Sequence, residues 1–377
     1  MSMQFPPFVV RRVHCDRPIV QGGMGVGVSL APLAGAVARE GGMGTVSSAC
    51  LDRLVSRRIG REVGAREAAA IEVAEAKRLS RGRGAVAMNV MVAIQGSYAD
   101  SVLGALDGGV DAIVSGAGLP LSLPNVVAGH PRAEAVALIP IVSSARALRV
   151  LGKRWAAAGR RPDAVVVEGP LAGGHLGWKT AEEVEDPAHR LEVLLDEVLA
   201  EARRQGGIPV IAAAGGIFDR ADVEAMLSRG AAAVQLGTRF LATEESSASP
   251  AYKRAVVAST AQDVEVAMEP GSPCGLPFRV LRSSTMYRLA AGGALRVRCD
   301  KGYLRGPHGC LAVREQGRYF CICNGLLSSA GYNAGEEPPL YTVGANAPRV
   351  DRILPVAELM AELVGAKPAT LPQAVNA

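Results

Sequence analysis

Along the first two-thirds of the chain, apolar positions follow one repeating rhythm. A short run rich in Ala, Val and Ile is followed by a Gly- or Ser-bearing turn. A longer stretch comes next, in which apolar residues return at helical spacing. The short runs fall at residues 18–21, 44–48, 85–92, 110–115, 137–143, 164–168, 208–213 and 232–236, and each reads as a strand. The longer stretches include 30–40, 51–79, 98–106, 145–158, 187–203 and 220–229, several with charges confined to one face, and each reads as a helix. Eight strands strictly alternating with crossover helices over some 240 residues predict an α/β fold, a closed (β/α)8 TIM barrel.

A doubly wound open sheet is the competing architecture, and it would concentrate its nucleotide site in one glycine-rich turn after the first strand. In this chain glycines cluster after several strands, at 22–27, 116–118, 173–177 and 215–216. That distribution suits a barrel, whose C-terminal loops all converge on one ligand. From about 241 the rhythm breaks. Residues 242–249 are polar, 251–262 read as helical, and 268–278 carry three prolines and two glycines. Periodicity is weak over 279–340, and 351–364 reads as an amphipathic closing helix. The expected organisation is a barrel over 1–240, a cysteine-bearing lid-like excursion over 241–340, and a C-terminal segment over 341–377 that packs back on the barrel.

Composition narrows the function classes. Hydrophobic residues make up 49% of the 377 but aromatics only 4%, so the core is built from aliphatic side chains, as helices over short parallel strands require. Lys and Arg number 41 against 36 acids, and the net +5 is spread without a basic run or interleaved aromatics, which argues against nucleic acid as a partner. No apolar stretch is long enough to span a membrane, and the first residues lack the plan of a signal peptide, so a cytoplasmic protein with no membrane partner is expected. A homo-oligomer is compatible with the chain.

The chemistry-bearing residues lie on the loops that a barrel would gather. His175 follows the sixth strand among Gly173, Gly174 and Gly177, and an imidazole there can exchange a proton near neutral pH. A loop histidine taken alone is more often a bystander; its place on the barrel rim is what marks it as a candidate base. His14, His130, His189 and His308 have no such setting. Ala214, Gly215 and Gly216 follow strand seven, and Gln235, Leu236, Gly237 and Thr238 end strand eight. Backbone N–H groups of these two loops form the phosphate cradle of many barrels, although each is also an ordinary glycine turn. Gly22, Gly23 and Met24 follow strand one, where glycines let the backbone approach a flat ring. A dinucleotide fingerprint is a weak reading of the same cluster, because no clean acidic ribose partner lies downstream. Asn89 and Glu168 are polar residues on strands that are otherwise apolar, and each needs a partner, either inside the barrel or on a cofactor.

With these residues in place, the chain resembles the nitronate monooxygenase family, formerly 2-nitropropane dioxygenases, whose fold is shared by FMN-dependent enoyl-ACP reductases. The resemblance is carried by Pro18-Ile-Val-Gln-Gly-Gly-Met-Gly25, Met88-Asn89-Val90, Ser115-Gly-Ala-Gly-Leu-Pro120, the stretches 168–177, 213–217 and 235–240, and Gly271-Ser-Pro-Cys-Gly-Leu-Pro277. It spans roughly residues 15–280, and the motifs are specific as a set rather than singly. It implies non-covalent FMN, with Met24 and its glycines lining the ring and Asn89 and Glu168 bonding to it. Gly173, Gly174, Ala214, Gly215, Gly216, Gln235, Leu236, Gly237 and Thr238 would hold the tail and phosphate. Many relatives carry Gln where this chain has Glu168. The resemblance further implies His175 as the base that removes the α-proton of a nitroalkane, and oxidation of the nitronate with O2 to a carbonyl compound and nitrite. Met24, Leu119 and Pro120 are candidates to line an apolar substrate pocket.

Other functions share these features. An NAD(P)H-using enoyl-ACP or quinone reductase would use the same cofactor and histidine; a flavin-free phosphate-binding barrel or a flavin-binding protein without turnover would use part of the set. Seven cysteines, an odd number, argue against a disulfide framework. Four of them, Cys299, Cys310, Cys321 and Cys323, lie near His308 but form no Cys-x-x-Cys pair. A lid or interface bearing thiols is therefore expected there rather than a metal site.

Overall fold

In the computed structural model, which describes residues 5–213, 216–298, 310–332 and 337–365, eight parallel strands close into a barrel. They are Ile19–Gln21, Met43–Ser47, Ala85–Met91, Ala112–Gly116, Ala137–Val142, Val165–Glu168, Val210–Ala213 and Ala233–Leu236. Each pairs with the next in sequence and the eighth returns to the first, the TIM-barrel topology expected from the alternation.

Side-chain alternation divides each strand between two cores. Outward residues such as Val86, Met88, Val165 and Val167 pack against the surrounding helices. Inward residues, including Val20, Met43, Ala85, Ala87, Val114, Ile139, Val166, Ile211 and Ala233, fill the barrel axis. A hairpin of Phe8–Val10 and Val13–Cys15, not anticipated from the sequence, adds Phe8, Val10, Val13 and Cys15 to that inner core and closes the N-terminal end of the barrel. The other end, where the strands finish, stays open to the loops.

Two expected helices are divided. The stretch read as one helix over 51–79 is Leu51–Ile59 followed by Ala65–Ser80. Gly60 takes a left-handed φ of 73° and terminates the first, and Gly64 starts the second. The stretch 187–203 begins as a short 3-10 turn, Pro187–His189, before the helix Leu191–Arg204. The helix read over 251–262 is Pro250–Val257, and within 279–340, where periodicity is weak, the chain still forms Thr285–Ala291 and Ile322–Ser329. The closing helix is Val356–Val364 rather than 351–364, because Pro355 cannot sit in a helix interior and caps it instead. Val356, Leu359, Met360 and Leu363 dock it into the outer core. No helix among the described residues is long and apolar enough to cross a membrane.

Gly44, on the second strand, shows how closely helix and strand approach. A Cβ there would lie 1.9 Å from Ala34 O and 2.7 Å from Ala34 Cα, both backbone of the helix Ala31–Arg39. Gly44→Ala is therefore expected to destabilise the barrel by at least about 1–3 kcal/mol, the range for overpacking a core, and to lower the urea midpoint accordingly.

Candidate active site

At the open end of the barrel the inward positions change from apolar to polar. Continuing the alternation one step beyond the apolar layer places Thr45 above Met43, Asn89 above Ala87, Glu168 above Val166 and Gln235 above Ala233. Glu168 and Gln235 both stand in register with Ala213, on either side of it. Asn89, Glu168 and Gln235 are half-buried, whereas the layer beneath is sealed. The Thr45 hydroxyl is fully buried and finds no hydrogen-bond partner, and Glu168 makes neither a hydrogen bond nor an ion pair among the described residues. Orphaned polar groups around an open mouth are expected where a ligand completes them. Thr45 could not have been singled out from the sequence, since an isolated threonine in a strand is commonplace.

The loop after the first strand lies across one side of this mouth. Gln21 is buried beneath it, donating from Nε2 to Ser29 Oγ at 2.8 Å and accepting from Thr45 N at 2.9 Å. Ser29 Oγ in turn accepts from Met24 N at 2.9 Å, and Gly22 N donates to Leu236 O at 2.9 Å. So anchored, Gly23 presses on Asn89: a Cβ on it would come 2.3 Å from Asn89 Cβ. A Cβ on Gly22 would meet the Gln235 side chain at 3.2 Å, and one on Gly237 would reach Met24 Sδ at 3.7 Å. Gly22, Gly23, Met24, Asn89, Gln235 and Gly237 are thus gathered into one wall.

The opposite side is built by the sixth loop and by the chain beyond 241. His175 is not in an irregular loop: Gly174–His175 is a short strand paired antiparallel with Phe278–Leu281, which also pairs with Val264–Ala267. Its Nε2 lies 2.7 Å from Ser272 Oγ, 97 residues away in sequence, and its ring meets Phe278 edge-on at 4.8 Å. Ser272 is buried and accepts from Cys274 N at 3.1 Å, leaving a lone pair for Nε2–H; in that tautomer Nδ1 is the bare acceptor. Burial lowers the imidazole pKa to about 4, so it is neutral through the physiological range. Arg279, buried, holds the same loop by donating to Pro170 O and Ala172 O, both at 2.6 Å. Burial depresses its pKa to about 10, with Glu185 acting against the shift.

A strap over residues 340–347 crosses between the sixth and eighth loops. Gly344 N donates to Thr238 Oγ1 at 2.9 Å and Ala345 N to Leu171 O at 3.0 Å, and a Cβ on Gly173 would meet Val343 C at 2.6 Å. Gly216 faces Leu171, its notional Cβ 3.1 Å from Leu171 Cδ1, while the Asn346 side-chain nitrogen is buried beside this strap without a partner. Ala214 and Gly215 lie outside the described residues, as do Cys299 and His308. Cys310 and Cys323 are half-buried and Cys321 is buried, the last two at the start of helix Ile322–Ser329. Pro120 is buried with its carbonyl accepting from Trp155 Nε1 at 3.0 Å, which turns it towards the helix layer.

The roles of Ser272, Phe278 and Arg279 escaped the sequence reading, although Ser272 lies in one of its motifs. Comparison of the whole chain adds a family: residues 8–366 match the one described as nitronate monooxygenase. The chain belongs to that family. A nitronate monooxygenase of Paraburkholderia phytofirmans is 34% identical over 66% of this chain and 69% of that protein. A (3aS,4S,5R,7aS)-5-hydroxy-7a-methyl-1-oxo-octahydro-1H-indene-4-carboxyl-CoA dehydrogenase of Mycobacterium tuberculosis is 31% identical over 75% of this chain and 68% of that protein. Among solved structures, a nitroalkane oxidase of Streptomyces ansochromogenes superposes with a TM-score of 0.62 at 25% identity, covering 93% of this chain and 95% of that one. Family and relatives together make this nitronate monooxygenase-family chain an oxidoreductase.

Proposed function

We propose that the chain binds FMN at the polar mouth and oxidises alkyl nitronates, or the nitroalkanes that give rise to them, with O2, yielding a carbonyl compound and nitrite. The observation that carries this reading is His175: a half-buried, neutral imidazole with Nδ1 free, held at the rim of a mouth whose polar groups lack partners. The residues present fit a flavin. Gly22 and Gly23 give a flat ring close access, Asn89, Gln235 and Glu168 offer hydrogen bonds to its heteroatoms, and Gly173, Gly174, Gly216 and Thr238, with the strap over 340–347, border the end where a phosphate would lie.

When bound, FMN would supply the electron acceptor that O2 reoxidises. His175 Nδ1 takes the α-proton of a nitroalkane, and its Nε2–H then rests against Ser272 Oγ. The imidazolium so formed sits beside the nitronate charge and stabilises it. Phe278, fully buried, backs the imidazole edge-on and keeps water from that side. Removing the Ser272 hydroxyl should loosen this arrangement by about one neutral hydrogen bond, roughly 0.5–1.5 kcal/mol. Ser272→Ala is thus expected to lower kcat/KM for a nitroalkane about three- to tenfold with flavin affinity unchanged, measured by steady-state kinetics beside a flavin titration.

A reductase or dehydrogenase acting on a thioester is the second reading, favoured by the 31% identity to the CoA-ester dehydrogenase. Anaerobic mixing of the flavin-loaded protein separates the two. Bleaching by a nitronate supports the first, bleaching by NADH or NADPH supports the second, and a protein that takes up no flavin ends both.

A further inference from the structure

Of the inward-facing strand residues Thr45, Asn89, Glu168 and Gln235, only Glu168 can ionise. It ends the sixth strand on the inward face, following Val166 of the inner core, while Val165 and Val167 face the helices. Other carboxylates at comparable depth have partners. Glu72 accepts from Ala31 N at 2.7 Å and pairs with Arg58 at 2.5 Å; Asp111 pairs with Lys77 at 2.8 Å; Glu201 pairs with Arg149 at 3.0 Å and Arg204 at 2.8 Å. Glu168 has none of these among the described residues.

The groups around it do not supply the missing charge. The adjoining strand ends carry Val142, Ser143 and, in register, Ala213; Gln235 stands on the far side of Ala213, and Thr45 and Asn89 lie on the second and third strands. On the sheet packed over the sixth loop, His175 is neutral and Arg279 is engaged by two carbonyls. We propose that Glu168 serves the site as a neutral carboxylic acid that donates its hydrogen bond to a heteroatom of the bound flavin ring, and withdraws that donor when it ionises. Burial alone raises the carboxyl to about 7, so the donor is present below neutral pH and is replaced by a negative charge above it. A carboxylate next to a ring that gains electrons opposes their arrival, so the flavin becomes harder to reduce as pH rises through this range.

The idea rests on the flavin reading, and its test keeps the two apart. Glu168→Gln supplies an amide that donates as the acid does but cannot ionise. The midpoint potential of bound flavin should therefore coincide in the wild type and E168Q at about pH 5.5 and diverge above about pH 7, the wild type falling more steeply. Parallel curves across that range would overturn the proposal. In the flavin-free proteins, infrared difference spectroscopy should show a protonated-carboxyl band in the wild type at about pH 6 that fades through neutrality and is missing from E168Q. Absence of the band would overturn the proposal whether or not flavin binds. Failure of both proteins to take up FMN, with the band present, would sink the cofactor reading and the electronic consequence drawn from it while leaving Glu168 a neutral acid.

Discussion

Replacing His175 by asparagine is expected to lower turnover of a neutral nitroalkane about 10²–10⁴-fold, the range over which a positioned general base acts, while leaving turnover of a preformed nitronate and flavin affinity nearly unchanged. The split between substrates is the informative part. A nitroalkane has a proton to lose and a nitronate has already lost it, so only the former needs Nδ1. The Ser272 contact is made by Nε2, which the shorter asparagine does not reach, but the small sheet formed by Gly174–His175 and Phe278–Leu281 is held by backbone pairing that the substitution leaves in place. The wild-type pH profile carries the same argument. With burial holding the imidazole pKa at about 4, the basic form persists from neutral pH downward and is lost only as pH falls through about 4. The acid limb of kcat/KM for the nitroalkane should lie there rather than near 6.5, and His175→Asn should abolish it. Equal losses on both substrates would assign His175 to binding or structure instead.

How far the sequence reveals this site depends on whether a residue's role is local. The barrel strands are legible because each is a short apolar run bounded by its own turn, and the register that follows turns Asn89 and Glu168 inward without further information. The helix expected over 51–79 fails at a local feature too, since Gly60 and Gly64 lie in plain view, but an apolar period that resumes after five residues outweighs two glycines in a pattern. What cannot be read is the pairing of distant segments. Nothing in Gly174–His175 announces that it will pair with Phe278, and nothing in Ser272 marks it as the partner of an imidazole 97 residues away. The inner core shows the same limit: Phe8, Val10, Val13 and Cys15 alternate as a strand pair would, yet their place as the floor of the barrel is set by closure of the whole sheet.

Gly23→Ala should have the second large effect, a loss of FMN affinity of about 10- to 100-fold, corresponding to about 1–3 kcal/mol of overpacking. The new methyl carbon would fall 2.3 Å from Asn89 Cβ and 3.3 Å from Thr45 Cγ2. Asn89 Cβ is fixed by a paired strand and cannot swing aside, so the loop must lift. That loop is tied by Met24 N to Ser29 Oγ, by Ser47 N to Ser29 O and by Gly22 N to Leu236 O, each at 2.9 Å, and strain therefore reaches the whole wall of the mouth. Adding Asn89→Gly removes the colliding Cβ and separates two causes. Should Asn89 matter only as a steric neighbour, the double variant recovers both its urea midpoint and its flavin affinity. If the Asn89 amide also bonds to the ring, the midpoint recovers and the affinity does not. The second result is expected, because the amide lies near the C-terminal end of the strand Ala85–Met91, where alternation points it inward to the polar mouth.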